Sequence, residues 1–146
     1  MGKMMSAQER QSHMDSLQQD HERLFETLSA ICASVMTEER ISDLVCAVAL
    51  ARESFVKISL RESDMMITVG YPKTRFASDD STRLEDMFDQ LLLDMTMLDR
   101  RSIYNRINIL TCELSGHLRK FTQDCGEFAK EMGLDPTFSL MSLSVR

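Results

Sequence analysis

Between Asp79 and Met132 the chain runs 54 residues without a proline, with apolar residues at helical spacing almost throughout. The whole sequence holds only two prolines and five glycines. So few breakers do not serve the many tight turns of a sandwich or barrel, and they favour long helices. Two apolar seams run along the stretch. Leu84, Phe88, Leu91, Met95 and Leu98 form the first; Ile103, Ile107, Leu110, Leu114, His117, Phe121, Cys125, Phe128 and Met132 form the second. The step from Leu98 to Ile103 is five residues, so the two seams are out of phase. A single unbroken helix would be about 80 Å long, and an upstream helix of about 45 Å could cover little more than half of it. A break at Asp99–Ser102 gives instead two helices, 79–99 and 102–132, that fit a bundle.

Upstream, Met14, Leu17, His21, Leu24, Leu28, Ile31 and Val35 follow a 3-4 spacing, the seam of a coiled-coil-like helix over 6–36. Phe25, Cys32 and Met36 widen the stripe, which suits a bundle with more than one neighbour. Thr37, Glu38 and Glu39 offer an N-cap and an acidic first turn for a second helix, 38–69. Its seam is Ile41, Leu44, Val48, Ala51, Phe55, Ile58, Met65 and Val69, with only Glu62 out of place. The expected fold is therefore all-α, an antiparallel bundle of about four helices with coiled-coil-like seams. The alternative is α+β. Val56, Ile58 and Leu60, then Met65, Ile67, Val69 and Tyr71, alternate with polar residues, and Arg61–Asp64 could turn a β-hairpin at 55–71. Helix is preferred because no glycine or proline separates Ala47–Glu53 from Phe55.

Gly70, Tyr71 and Pro72 end the second helix, and residues 70–78 form a loop before N-cap candidates at Ser78–Ser81. Gly133 and Pro136 end the last helix. Residues 1–136 are read as one helical-bundle domain and 137–146 as an apolar tail. The tail carries Phe138, Leu140, Met141, Leu143 and Val145, and either straps one end of the bundle or docks on a partner.

Composition narrows function mainly by exclusion. Net charge is −6 and the pI near 5.1, so phosphate-backbone binding and an anionic membrane surface are both disfavoured. No run approaches the ~18 apolar residues of a membrane span, and the N-terminus lacks a signal-peptide pattern. Gly2 and Ser6 match only the outline of a myristoylation signal. The four cysteines, Cys32, Cys46, Cys112 and Cys125, match no zinc or redox spacing and are expected to be reduced, buried and cytoplasmic. Glu9 with His13 and Glu113 with His117 are four apart, not the three of a di-iron bundle motif. His21 and His117 fall on seams and are expected to be hydrogen-bonded core residues or register-setting groups, not metal ligands. Aspartates 79, 80, 86, 89, 94 and 99 are read as a solvated face, and Arg100, Arg101, Arg106, Arg119 and Lys120 as a solvated or salt-bridged stripe. No nucleophile with an adjacent base and no phosphate loop is found, so neither catalysis, cofactor nor metal is expected.

Twelve methionines and the nearly all-apolar run Leu91–Leu98 remain. Methionine is over-used on adaptable binding surfaces. The expected function is a protein–protein interaction module: an adaptor, complex subunit or chaperone-like binder that acts through apolar helix faces or self-associates. Its partner-binding residues are expected to be Leu91, Leu92, Met95, Met97 and Leu98, with Phe138, Leu140 and Leu143 from the tail. Neither a nucleic acid nor a small-molecule ligand is expected. The alternative is a secretion-type chaperone or regulator of α+β build that takes up an extended partner segment on the hairpin edge.

Overall fold

The computed structural model describes residues 7–37, 39–69 and 74–131. They form four helices and, among the described residues, no strand: α1 (Ala7–Val35), α2 (Ile41–Val69), α3 (Thr74–Asp94) and α4 (Arg100–Glu131). The hairpin alternative falls, because residues 55–69 are helical. Alternation would have put Val56, Ile58 and Leu60 on one buried face. Instead Phe55, Ile58, Glu62 and Met66 are buried at helical spacing, while Leu60 is 63 % exposed.

Three boundaries move from their expected places. Thr37 belongs to the end of α1, since its amide and hydroxyl both donate to the Ser34 carbonyl at 3.1 and 2.6 Å. Glu39 therefore precedes α2, and the acid of its first turn is Asp43. Residues 74–78 are helical and not loop, which leaves Asp80 inside α3 and not at its cap. The break between α3 and α4 is real and begins earlier than expected, with a turn over 95–97. Asp99 is the N-cap of α4. Its Oδ1 accepts the Ser102 amide at 2.7 Å, and its carbonyl accepts the Ile103 amide at 3.0 Å. The cap explains the five-residue step between the seams: it restarts the helical phase, so that Met95 and Ile103 are both fully buried.

Each helix packs against two others, α1 on α2, α2 on α3, α3 on α4, and α4 back on α1. The cross-contacts fix every neighbour as antiparallel. Arg52–Asp89 and Phe55–Phe88 run in opposite residue order on α2 and α3, as do Arg83–Glu113 and Asp94–Arg106 on α3 and α4, and Val35–Arg100, Cys32–Asn108 and His21–Phe121 on α1 and α4, which leaves α1 antiparallel to α2 as well. The square bundle is filled by the seams. Met14, Leu17, Leu24, Leu28, Ile31 and Val35 of α1 meet Leu44, Val48, Ala51, Phe55 and Ile58 of α2, Leu84, Phe88, Leu91 and Met95 of α3, and Ile103, Ile107, Leu110 and Leu114 of α4. Phe55 and Phe88 stack across the middle with ring centroids 5.7 Å apart. Burial on this scale is what holds helices that would be marginal alone.

At one end of the bundle lie the turn residues 36–37 with 39–40, after α1, and 95–99, after α3. Arg100 ties them together: its guanidinium donates to the Val35 carbonyl at 3.0 Å and to the Glu39 carbonyl. It thus satisfies an orphan acceptor at the end of α1, where a cation also complements the helix dipole.

Candidate functional site

Toward the other end, one polar residue from each helix reaches the same level of the core. His21 of α1 and His117 of α4 sit on their seams, and Glu62 of α2 sits between them. Their side chains are 0, 3 and 1 % exposed. Glu62 Oε1 lies 3.1 Å from His21 Nε2, and Oε2 lies 3.1 Å from His117 Nε2. On its other side, His117 Nδ1 lies 2.5 Å from Oδ2 of Asp80 on α3. Asp80 then accepts from Arg83, which reaches on to Glu113 at 3.1 Å. The result is a chain of alternating charge, Glu62, His117, Asp80, Arg83, Glu113, that crosses from buried core to surface. His21 packs edge-on to Phe121 and His117 edge-on to Phe55, so apolar rings wall the network in.

The electrostatics follow from that geometry. Burial alone would raise the Glu62 carboxyl, but hydrogen bonds and charge from His117 and His21 outweigh it and hold it below the usual range. Asp80 is likewise held low, by His117 and Arg83 against its partial burial. Burial pulls His117 down, yet Glu62 and Asp80 overcome this and raise it above an ordinary histidine. With a carboxylate at each ring nitrogen, His117 presents no free base. His21 Nδ1 is buried without a hydrogen-bond partner. Among the described residues, no group of three or more His, Cys, Asp or Glu is placed to hold a metal ion.

A depression of about 310 Å³ opens between α3 and α4 over this network, lined by Asp80, Arg83, Cys112, Glu113, Gly116, His117 and Lys120. A side chain at Gly116 would meet nothing within 4 Å, so α4 leaves the depression open there.

The expected partner-facing residues separate into three groups. Leu91 and Met95 are 1 and 0 % exposed and belong to the core, because the break at 95–99 keeps both on the inward face. Leu92 and Leu98 are half-buried and pack against that core. Met97 is 87 % exposed, and Leu93, missed by the seam analysis, is 72 % exposed. Phe138, Leu140 and Leu143 lie outside the described residues. Met36, in the turn at the same end, is 61 % exposed. Elsewhere Leu50, Leu60, Ile67 and Ile109 are exposed large apolar residues.

Three of the cysteines do not fit the buried reading, and the side chain of Cys125 lies outside the described ones. Cys46 and Cys112 are exposed, each two residues off a seam position, and Cys32 is half-buried. Burial raises the Cys32 thiol, which donates to Asn108 Oδ1 at 3.2 Å. Of the aspartates, Asp79, Asp86 and Asp99 are exposed as the solvated face requires, Asp99 also capping α4; Asp89 pairs with Arg52 and Asp94 with Arg106 at the surface, and Asp80 departs from that face by entering the network. Arg100 contacts carbonyls and not carboxylates.

The sequence signal for the polar network was present in parts. His21, His117 and Glu62 each interrupt an apolar seam, and only the antiparallel register shows that the three interruptions meet. Asp80 gave no such signal, since the expected helix began beside it. Among the described residues, no helix is long and apolar enough to cross a membrane. Comparison with protein families, with curated proteins and with solved structures gave no match to this chain.

Proposed function

We propose that this chain is a protein-binding module whose docking surface is the turn end of the bundle. The observation that carries the reading is the exposure of Leu93 and Met97 at 72 and 87 %, beside Met36 in the neighbouring turn. Half-buried Leu92 and Leu98 continue the apolar surface inward to the core. Isolated exposed apolar residues are common, but several at one end of a bundle mark a contact surface. Arg100 bridges the two turns, so the surface is already organised before a partner arrives, which lowers the entropy cost of binding. Met36 and Met97 supply adaptable side chains. The chemistry implied is apolar helix packing, as adaptor, complex subunit or chaperone-like binder, or as a self-associating unit, in a cytoplasmic setting. Catalysis, nucleic acid and small ligands have no part in it. The alternative secretion-type reading needed a strand edge at 55–71, and residues 55–69 are helix.

Replacing Leu93 and Met97 together by Asp should abolish self-association or partner capture while leaving helicity and thermal midpoint almost unchanged, since neither side chain is in the core. Light scattering coupled to sizing, together with affinity capture from native lysate, reads the binding, and circular dichroism reads the fold. Association that survives in the double variant defeats the proposal.

A further inference from the structure

We propose that the His21–Glu62–His117–Asp80 level is a proton-operated latch that closes the end of the bundle opposite the turns. The argument begins with a proton count. A carboxylate oxygen can only accept, and His117 has one at each ring nitrogen: Glu62 Oε2 at 3.1 Å and Asp80 Oδ2 at 2.5 Å. Both contacts are attractive only if both nitrogens carry protons or a carboxyl holds one of them. Removing that proton sets a nitrogen lone pair against a carboxylate, either the buried Glu62 or the Asp80 that the depression reaches. Glu62 and Asp80 then share one N–H between two negative charges.

The groups around His117 offer little replacement. α1 presents His21, already committed to Glu62 Oε1 through Nε2. α2 presents Glu62 itself. α3 presents Asp80 and Arg83, and Arg83 is divided between Asp80 and Glu113. On α4, Glu113 and Lys120 line the outer depression. Among the described residues, the His117 imidazolium is thus the buried cation that joins α2, α3 and α4.

Two further features suit a latch. The depression between α3 and α4, open at Gly116, lets solvent protons reach Asp80 and the edge of His117 without unfolding. Moreover, among the described side chains the buried apolar residues on the far side of the level are Met14, Leu17, Met66, Leu118 and Phe121, against a longer stack on the turn side. Loss of the latch therefore loosens that end while the turn end stays packed.

The sign follows from His117, which the two carboxylates hold above an ordinary histidine. Its contribution is complete below the ordinary histidine value of 6.5 and is lost as pH rises through the raised value. Thermal unfolding of the full chain between pH 6 and 9.5 should show the midpoint falling by several degrees across that rise. The imidazole resonances of His117 should titrate over the same interval. In His117→Gln the alkaline fall should vanish, and in Asp80→Asn the His117 titration should move down in pH. A midpoint that stays flat or climbs, or a fall that persists in His117→Gln, overturns the latch. If His117→Gln does not fold, the Asp80→Asn titration decides alone, and an unmoved His117 midpoint overturns it.

Discussion

A carboxylate as deeply buried as Glu62 is tolerated only with donors on both oxygens, and His21 and His117 supply them from two other helices. Each of these residues, taken singly, looks like an error in an apolar seam. Gly116 is a second residue whose role emerges from its surroundings. It sits inside α4, where glycine weakens a helix, and a Cβ there would meet nothing within 4 Å. Gly116→Ala should therefore stabilise the bundle by about 0.5–1 kcal/mol, because the helix no longer carries the entropy cost of glycine. Urea unfolding monitored at 222 nm measures this. A loss of stability in its place would mean that the open edge of the α3–α4 depression is needed by the folded chain.

At the scale of elements, the four helices follow from periodicity, and their ends follow from local chemistry that periodicity does not encode. All seven α1 seam positions, from Met14 to Val35, are buried as the 3-4 spacing requires. The start of α2 was misplaced because Thr37 can cap forward or close the helix behind it, and the Ser34 carbonyl won. The position of the α3–α4 break was legible from the phase slip. Its cause, Asp99 capping Ser102, needed coordinates, because three other polar residues stand close by. Removing this cap by Asp99→Ala should lower stability, because the Ser102 amide loses its acceptor in the first turn of α4. Chemical denaturation checks the size of the effect, and an unchanged midpoint would show that the turn, and not the cap, sets the break. The docking residues were only partly legible. A run that is apolar all round, such as Leu91–Leu98, cannot tell from sequence which side faces its own core. Leu91 and Met95 face it, while Leu93 and Met97 do not.

For the molecule as a whole, stability is bounded on the acid side as well. Glu62 and Asp80 are held below ordinary carboxylates, so their contribution is present above the ordinary carboxylate range and lost as pH falls through their lowered values. Unfolding free energy measured against pH should start to fall as pH drops through the ordinary carboxylate values and go on falling down to the lowered ones. A curve that stays flat over that interval would show that the buried network is not what limits acid stability. The bundle also has one seam unlike the others. Consecutive helices are joined by short connections, but α1 and α4 meet with no chain between them. They are bridged at three heights: Arg100 on the Val35 carbonyl, Cys32 on Asn108, and Glu62 spanning His21 and His117. Ala7 and Glu131 are the described ends of these two helices farthest from the turns. Tension applied there loads the bridges one after another and not all at once. Mechanically the seam is a zip that opens from the histidine level toward the clasped turns.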